Sequence, residues 1–181
     1  MQRFQYKNLK EFNESENSKK IDSKTLCVLD IDGVFFHGLT DPHFWFANIK
    51  KEYLDELEKI VQRKTNIWIF TDRNMFGFWG PYKKQLLDIL SEQGKTLVRR
   101  FKGSKEFLNK TKTEKQLNRA LILNANKPGQ DSKNVIIKGM SNFNKVFYIA
   151  AQDIPGLYDD ERIVNEIKAG KINLYFIDIR K

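Results

Sequence analysis

The stretch that most constrains this chain is Leu26-Cys27-Val28-Leu29-Asp30-Ile31-Asp32-Gly33-Val34, an apolar run that delivers two carboxylates into a glycine turn. Consecutive apolar residues closed by a glycine read as a short strand buried on both faces, the kind found in parallel sheets. Acidic residues belong at the end of such a strand rather than inside it. In open α/β sheets the carboxyl end of the strands is where ligands bind, so Asp30 and Asp32 mark the first candidate site.

The rest of the chain can be placed around that strand. Residues 1–24 are polar and charge-mixed and read as a mostly exposed leader, with a short helix near Leu9 to Glu14. Phe46, Ile49, Tyr53, Leu54, Leu57, Ile60 and Val61 recur at spacings of three and four, which predicts an amphipathic helix within Phe44 to Lys64. A second apolar strand follows, Asn66 to Phe70, ending in Thr71-Asp72-Arg73. Strand, helix and strand predict a right-handed crossover and a parallel pair. Asn74 to Pro81 is an aromatic loop, either a substrate wall or packing for the helix expected over Tyr82 to Glu92, which Gly94 would cap.

Beyond it, Thr96 to Phe101 reads as a third strand, and residues 102–126 as a small lysine-rich elaboration with a helix over Thr113 to Leu123. Lys127-Pro128-Gly129-Gln130 reads as a break before a helix opening at Asp131-Ser132-Lys133 and carrying Val135, Ile136 and Met140. Lys145 to Ala151 is a fourth strand, followed by Gln152-Asp153. A helix over Asp160 to Ala169, a stop at Gly170 and a last strand from Ile172 to Ile179 close the chain. Strands alternating with helices predict an α/β protein with a doubly wound, mainly parallel sheet, a single domain over residues 25–181 with a small cap or none.

Hydrophobic residues make up 40% of the chain and charged residues 30%, so it is neither disordered by composition nor membrane-spanning. No run approaches the roughly 20 apolar residues that a spanning helix needs. The N-terminus lacks the apolar core of a secretory signal and the single Cys27 cannot form an internal disulfide, which predicts a cytoplasmic setting. A net charge of +9 would draw in anionic partners, although lysine is abundant everywhere and much of this is compositional bias.

Three strands, ending at Asp30, Thr71 and Asp153, are expected to bring polar groups to one edge of the sheet. Three carboxylates, a hydroxyl and a helix-borne lysine suit Mg²⁺ and a phosphoryl group, because hard cations prefer oxygen ligands. With two histidines and one cysteine, no zinc cluster competes. The bare Asp-x-Asp pattern also occurs in metal-binding nucleotide-sugar transferases, and that alternative stays open on these residues alone.

Asp30-Ile31-Asp32-Gly33-Val34 after an apolar strand resembles the first motif of the haloacid dehalogenase superfamily of phosphohydrolases, and Ile67-Trp68-Ile69-Phe70-Thr71 resembles its second. A lysine at the start of a helix, followed by Asp153 at the end of the next strand, is similar to its third and fourth motifs. The resemblance implies a Mg²⁺-dependent phosphomonoester hydrolase of the minimal-cap type, with Asp30 as nucleophile and Asp32 as proton carrier. It also implies that Thr71 bonds a phosphoryl oxygen, that Lys133 offsets negative charge, with Lys127 as a rival, and that Asp30, Asp32 and Asp153 hold the metal.

A minimal cap implies an open site that admits a phosphorylated macromolecule as well as a small phosphate ester. The sequence departs from the family in Ala150-Ala151-Gln152-Asp153, where one acid stands in place of the usual pair, with Asp159 a candidate outer partner. A non-catalytic relative that binds an anionic partner is the alternative. His37 and Asp72 are read as structural or surface groups.

Overall fold

The computed structural model describes residues 1–30, 34, 51–71, 97–100, 120–124, 128–151, 154 and 156–179. In chain order the elements are β1 (Gln2–Tyr6), α1 (Leu9–Glu14), β2 (Thr25–Asp30), α2 (Lys51–Val61) and β3 (Asn66–Thr71). They continue with β4 (Leu97–Arg100), β5 (Ala120–Asn124), α3 (Pro128–Met140), β6 (Lys145–Ala150), α4 (Glu161–Lys168) and β7 (Asn173–Ile179). Among the described residues the strands form one seven-stranded sheet in the order β1-β7-β6-β2-β3-β5-β4, and every neighbouring pair is parallel. The chain is therefore an α/β protein built on a parallel sheet.

The alternation of side chains across each strand divides the core into two halves. On one face Cys27 and Leu29 of β2, Ile67 and Ile69 of β3, Phe147 and Ile149 of β6, and Tyr175 and Ile177 of β7 meet α1 and α2. On the other, Leu26 and Val28, Trp68, Val146 and Tyr148, and Leu174 and Phe176 meet Val135, Ile136 and Met140 of α3 and Ile163 of α4. All six residues of β2 are buried, as expected of a strand covered on both sides. Between β6 and β7, residues in register stack their rings, Phe147 on Tyr175 at 4.5 Å and Tyr148 on Phe176 at 5.9 Å. Such cross-strand pairs fix register.

The first 24 residues differ from the expected exposed leader. β1 pairs in parallel with β7 and extends the sheet by an edge strand. In α1, the helix expected at Leu9 to Glu14, Leu9 and Phe12 are fully buried, and Phe12 packs its ring 5.5 Å from Tyr6 and 6.2 Å from Phe147. Asn8 caps the helix by accepting from the Glu11 N–H. Asn13 Nδ2 donates to Glu56 O at 3.0 Å and Glu56 Oε2 at 2.8 Å, and an Arg63 guanidinium N–H donates to Ser18 O at 2.6 Å. These bonds tie the N-terminal segment to α2 and the turn after it. The segment is polar because it lies at the sheet's edge, where only one side of each element is covered.

Two other boundaries move. Residues 120–123, expected to end a helix, lie in β5 between β3 and β4. A run of four apolar residues carries no period that separates strand from helix, and pairing decides it. The stretch Pro128-Gly129-Gln130, read as a break, is the first turn of α3, where proline is favoured because its missing N–H would have had no helical partner. Of the helix expected within Phe44 to Lys64, Lys51–Val61 is helical and the residues before it lie outside the described set. The aromatic loop at 74–81, the helix over 82–92 and most of the lysine-rich segment 102–126 also lie outside it.

Candidate functional site

The strand order gives β2 a special place. It is flanked by β3 on one side and β6 on the other, and both neighbours run parallel to it. From β2 the chain passes through α2 to β3 and on to β4 and β5, then returns through α3 to β6 on the opposite side of β2. Where strand order reverses in this way the connections diverge and leave a crevice beyond the carboxyl ends of the strands, the usual ligand site of open parallel sheets. Asp30 is the last residue of β2 and is 8% exposed.

Thr71 is the last residue of β3, one position beyond Phe70, which is the register partner of Asp30. Asn124 ends β5 opposite Thr71. Sequence reasoning does not single out Asn124, which follows the helix expected over Thr113 to Leu123, and a hydrogen-bonding residue ending an apolar run is the available signal. The sheet thus brings the backbone positions of Asp30, Thr71 and Asn124 to one edge, with Ala150 ending β6 on the other side of β2. Asp32, Asp72, Asp153, His37 and Lys127 lie outside the described residues. Among the described residues no three His, Cys, Asp or Glu side chains are gathered to hold a metal ion.

Lys133 is not at the start of its helix as expected. Because α3 begins at Pro128, Lys133 falls in the second turn, half-buried. Helical side chains lean toward the N-terminus, which in α3, running back from the sheet's carboxyl edge, carries a long lysine toward that edge. Its ammonium lies against Gly156 in the segment joining β6 to α4. That segment is anchored by Leu157, fully buried, and Ile154, 5% exposed, and ends at Asp160, whose carboxylate caps α4 by accepting from the Arg162 N–H at 3.1 Å.

Burial decides the chemistry of the one thiol on β2. Cys27 is fully buried and its thiol is pushed up to about 12 by desolvation, against the opposing pull of a contact with the Thr65 hydroxyl at 3.8 Å. A thiol this buried stays protonated and inert. At the strand's end the ionisable group is the carboxyl of Asp30. Carboxyl oxygens are the kind of donor that hard cations such as Mg²⁺ prefer.

Compared with known proteins, the chain matches no family model, no curated protein and no solved structure.

Proposed function

We propose that this protein is a Mg²⁺-dependent phosphomonoester hydrolase with a doubly wound, haloacid dehalogenase-like sheet, acting through an aspartyl-phosphate. The observation that carries the reading is the position of Asp30, at the carboxyl end of the central strand, beside the reversal of strand order. Core residues on both faces of the sheet support the doubly wound description. The Asp30-Ile31-Asp32-Gly33 sequence supports the chemistry.

In this mechanism the Asp30 carboxylate attacks phosphorus and displaces the alcohol, forming the acyl phosphate. Asp32 gives a proton to the leaving oxygen, then takes one from the water that attacks phosphorus and frees Asp30. The Thr71 hydroxyl donates to a phosphoryl oxygen, and the Lys133 ammonium offsets the charge gathered on phosphate and nucleophile. Asp30, the backbone carbonyl of Asp32, and Asp153 would hold Mg²⁺. The cation, when bound, supplies charge neutralisation that lets a carboxylate approach a phosphate dianion. With a small cap or none, the substrate is a phosphorylated macromolecule or a small phosphate ester, and a net charge of +9 favours either anion.

Turnover of an aryl phosphate with Mg²⁺, by the wild type and Asp30→Asn, tests the proposal. Hydrolysis by the wild type and its loss in the variant are expected. Equal turnover in both refutes the mechanism. No turnover by the wild type across several phosphate esters refutes the hydrolase reading in favour of an anion-binding protein.

A further inference from the structure

Among the described residues two glycines have a left-handed backbone, Gly156 at φ +65° and Gly170 at φ +69°. Any residue with a Cβ is strained there, so both positions favour glycine on backbone grounds. Their surroundings differ. A Cβ built on Gly170 meets nothing within 4 Å, whereas one on Gly156 would lie 2.9 Å from Lys133 Nζ and 3.9 Å from Lys133 Cε. The space a side chain would fill at position 156 is taken by the end of a lysine.

That lysine comes from α3 and the glycine from the connection after β6, two segments joined only through a strand. Both lie at the carboxyl edge of the sheet, the edge at which β2 ends in Asp30. The turn cannot easily retreat, since Leu157 is fully buried and its N–H donates to Ile154 O at 3.1 Å. Asp160, in the same segment, is held below the usual carboxylate range, first by the Arg162 hydrogen bond and last by the Lys133 charge.

We propose that Gly156 is a positioning residue for Lys133, its bare backbone letting the ammonium rest against the turn after β6 and face an anion bound at the edge that Asp30 ends. The identity of the anion, a phosphoryl group, rests on the hydrolase reading above. The contact is with the flexible end of a side chain, so a methyl group at 156 moves the ammonium rather than unfolding the turn. Gly156→Ala and Gly170→Ala therefore carry the same backbone strain, but only the first displaces a charge.

The test measures inorganic phosphate binding with Mg²⁺ by calorimetry, together with melting temperature and aryl phosphate turnover. It compares the wild type, Gly156→Ala, Gly170→Ala, Lys133→Ala and the Gly156→Ala/Lys133→Ala double variant. Both glycine variants should lose similar amounts of melting temperature. Phosphate affinity should fall about tenfold in Gly156→Ala and in Lys133→Ala, as for loss of one charge-assisted hydrogen bond. It should fall no further in the double variant and stay at the wild-type level in Gly170→Ala.

Equal phosphate affinity in the two glycine variants overturns the inference, as do losses that multiply in the double variant or a wild type that binds no phosphate. A wild type that binds phosphate through Gly156 and Lys133 yet turns over no ester overturns the hydrolase reading alone. Normal wild-type turnover with Gly156→Ala indistinguishable from Gly170→Ala overturns the inference alone.

Discussion

Arg3 offers a direct test of whether the N-terminal strand belongs to the sheet. Its guanidinium donates to Asp178 Oδ2 at 2.7 Å, and that carboxylate side chain is only 2% exposed, on β7 beside the end of β6. The same guanidinium lies 5.4 Å from the centroid of the Phe176 ring and 5.9 Å from that of Tyr158. Breaking a fully buried ion pair by removing one partner costs about 3–5 kcal/mol. The Arg3 side chain is 37% exposed, so solvent screening reduces this to about 2 kcal/mol.

Two partly exposed ring contacts add about 0.5 kcal/mol between them, giving about 2–3 kcal/mol for Arg3→Ala. With a urea dependence of about 2 kcal/mol per molar, the unfolding midpoint should fall by about 1 M, followed by tryptophan fluorescence. Arg3→Lys should recover part of the loss, since an ammonium keeps the charge but not the planar fork. An exposed leader would give Arg3→Ala a change within about 0.5 kcal/mol, and that result would refute the docking of β1.

Other expectations follow from charge and burial. Cys27 should resist a thiol reagent in the native protein and react at the rate of global unfolding, and rapid native labelling would contradict its burial. Because its thiol titrates higher folded than unfolded, the stability it confers is present below about pH 9 and lost as the pH rises toward about 12, which Cys27→Ala should abolish in an alkaline urea series. Asp22 shows the opposite sign. The Lys145 ammonium, at 2.7 Å, is the largest influence holding its carboxyl down to about 2, so its contribution is present above about pH 4 and fades as the pH falls through about 2. Asp22→Asn should flatten that part of the acid-unfolding profile, and an unchanged slope would contradict the pairing.

The middle of the fold was legible because buried parallel strands announce themselves. Leu26 to Leu29, Ile67 to Phe70 and Val146 to Ala150 are unbroken apolar runs, and the three lie side by side as β2, β3 and β6. Strands at the rim carry weaker signals. β1 alternates over only five residues with half-covered Phe4 and Tyr6, and its charged Arg3 reads as surface until its bond to Asp178, two residues along β7 from its register partner Phe176, is found. β5 offered Ala120-Leu121-Ile122-Leu123, too short for a period to show.

The place of Asp30 in the fold could be read from the apolar run it closes, since a carboxyl group belongs at the end of a buried strand rather than inside it. Lys133 could be read only in part. Its helix is visible in the sequence, but Pro128-Gly129-Gln130 reads locally as a break although it forms the first turn. Its meeting with Gly156 joins residues far apart in sequence through a backbone conformation that no local pattern reveals.

The claim on which the mechanism rests is that Asp30 becomes phosphorylated. A turnover mixture with aryl phosphate and Mg²⁺, quenched in acid and reduced with borohydride, converts an acyl phosphate to an alcohol that peptide mass spectrometry can locate. Homoserine at position 30 is expected in the wild type and none in Asp30→Asn. Steady turnover with homoserine at position 32, or with no reduced residue at all, would contradict it.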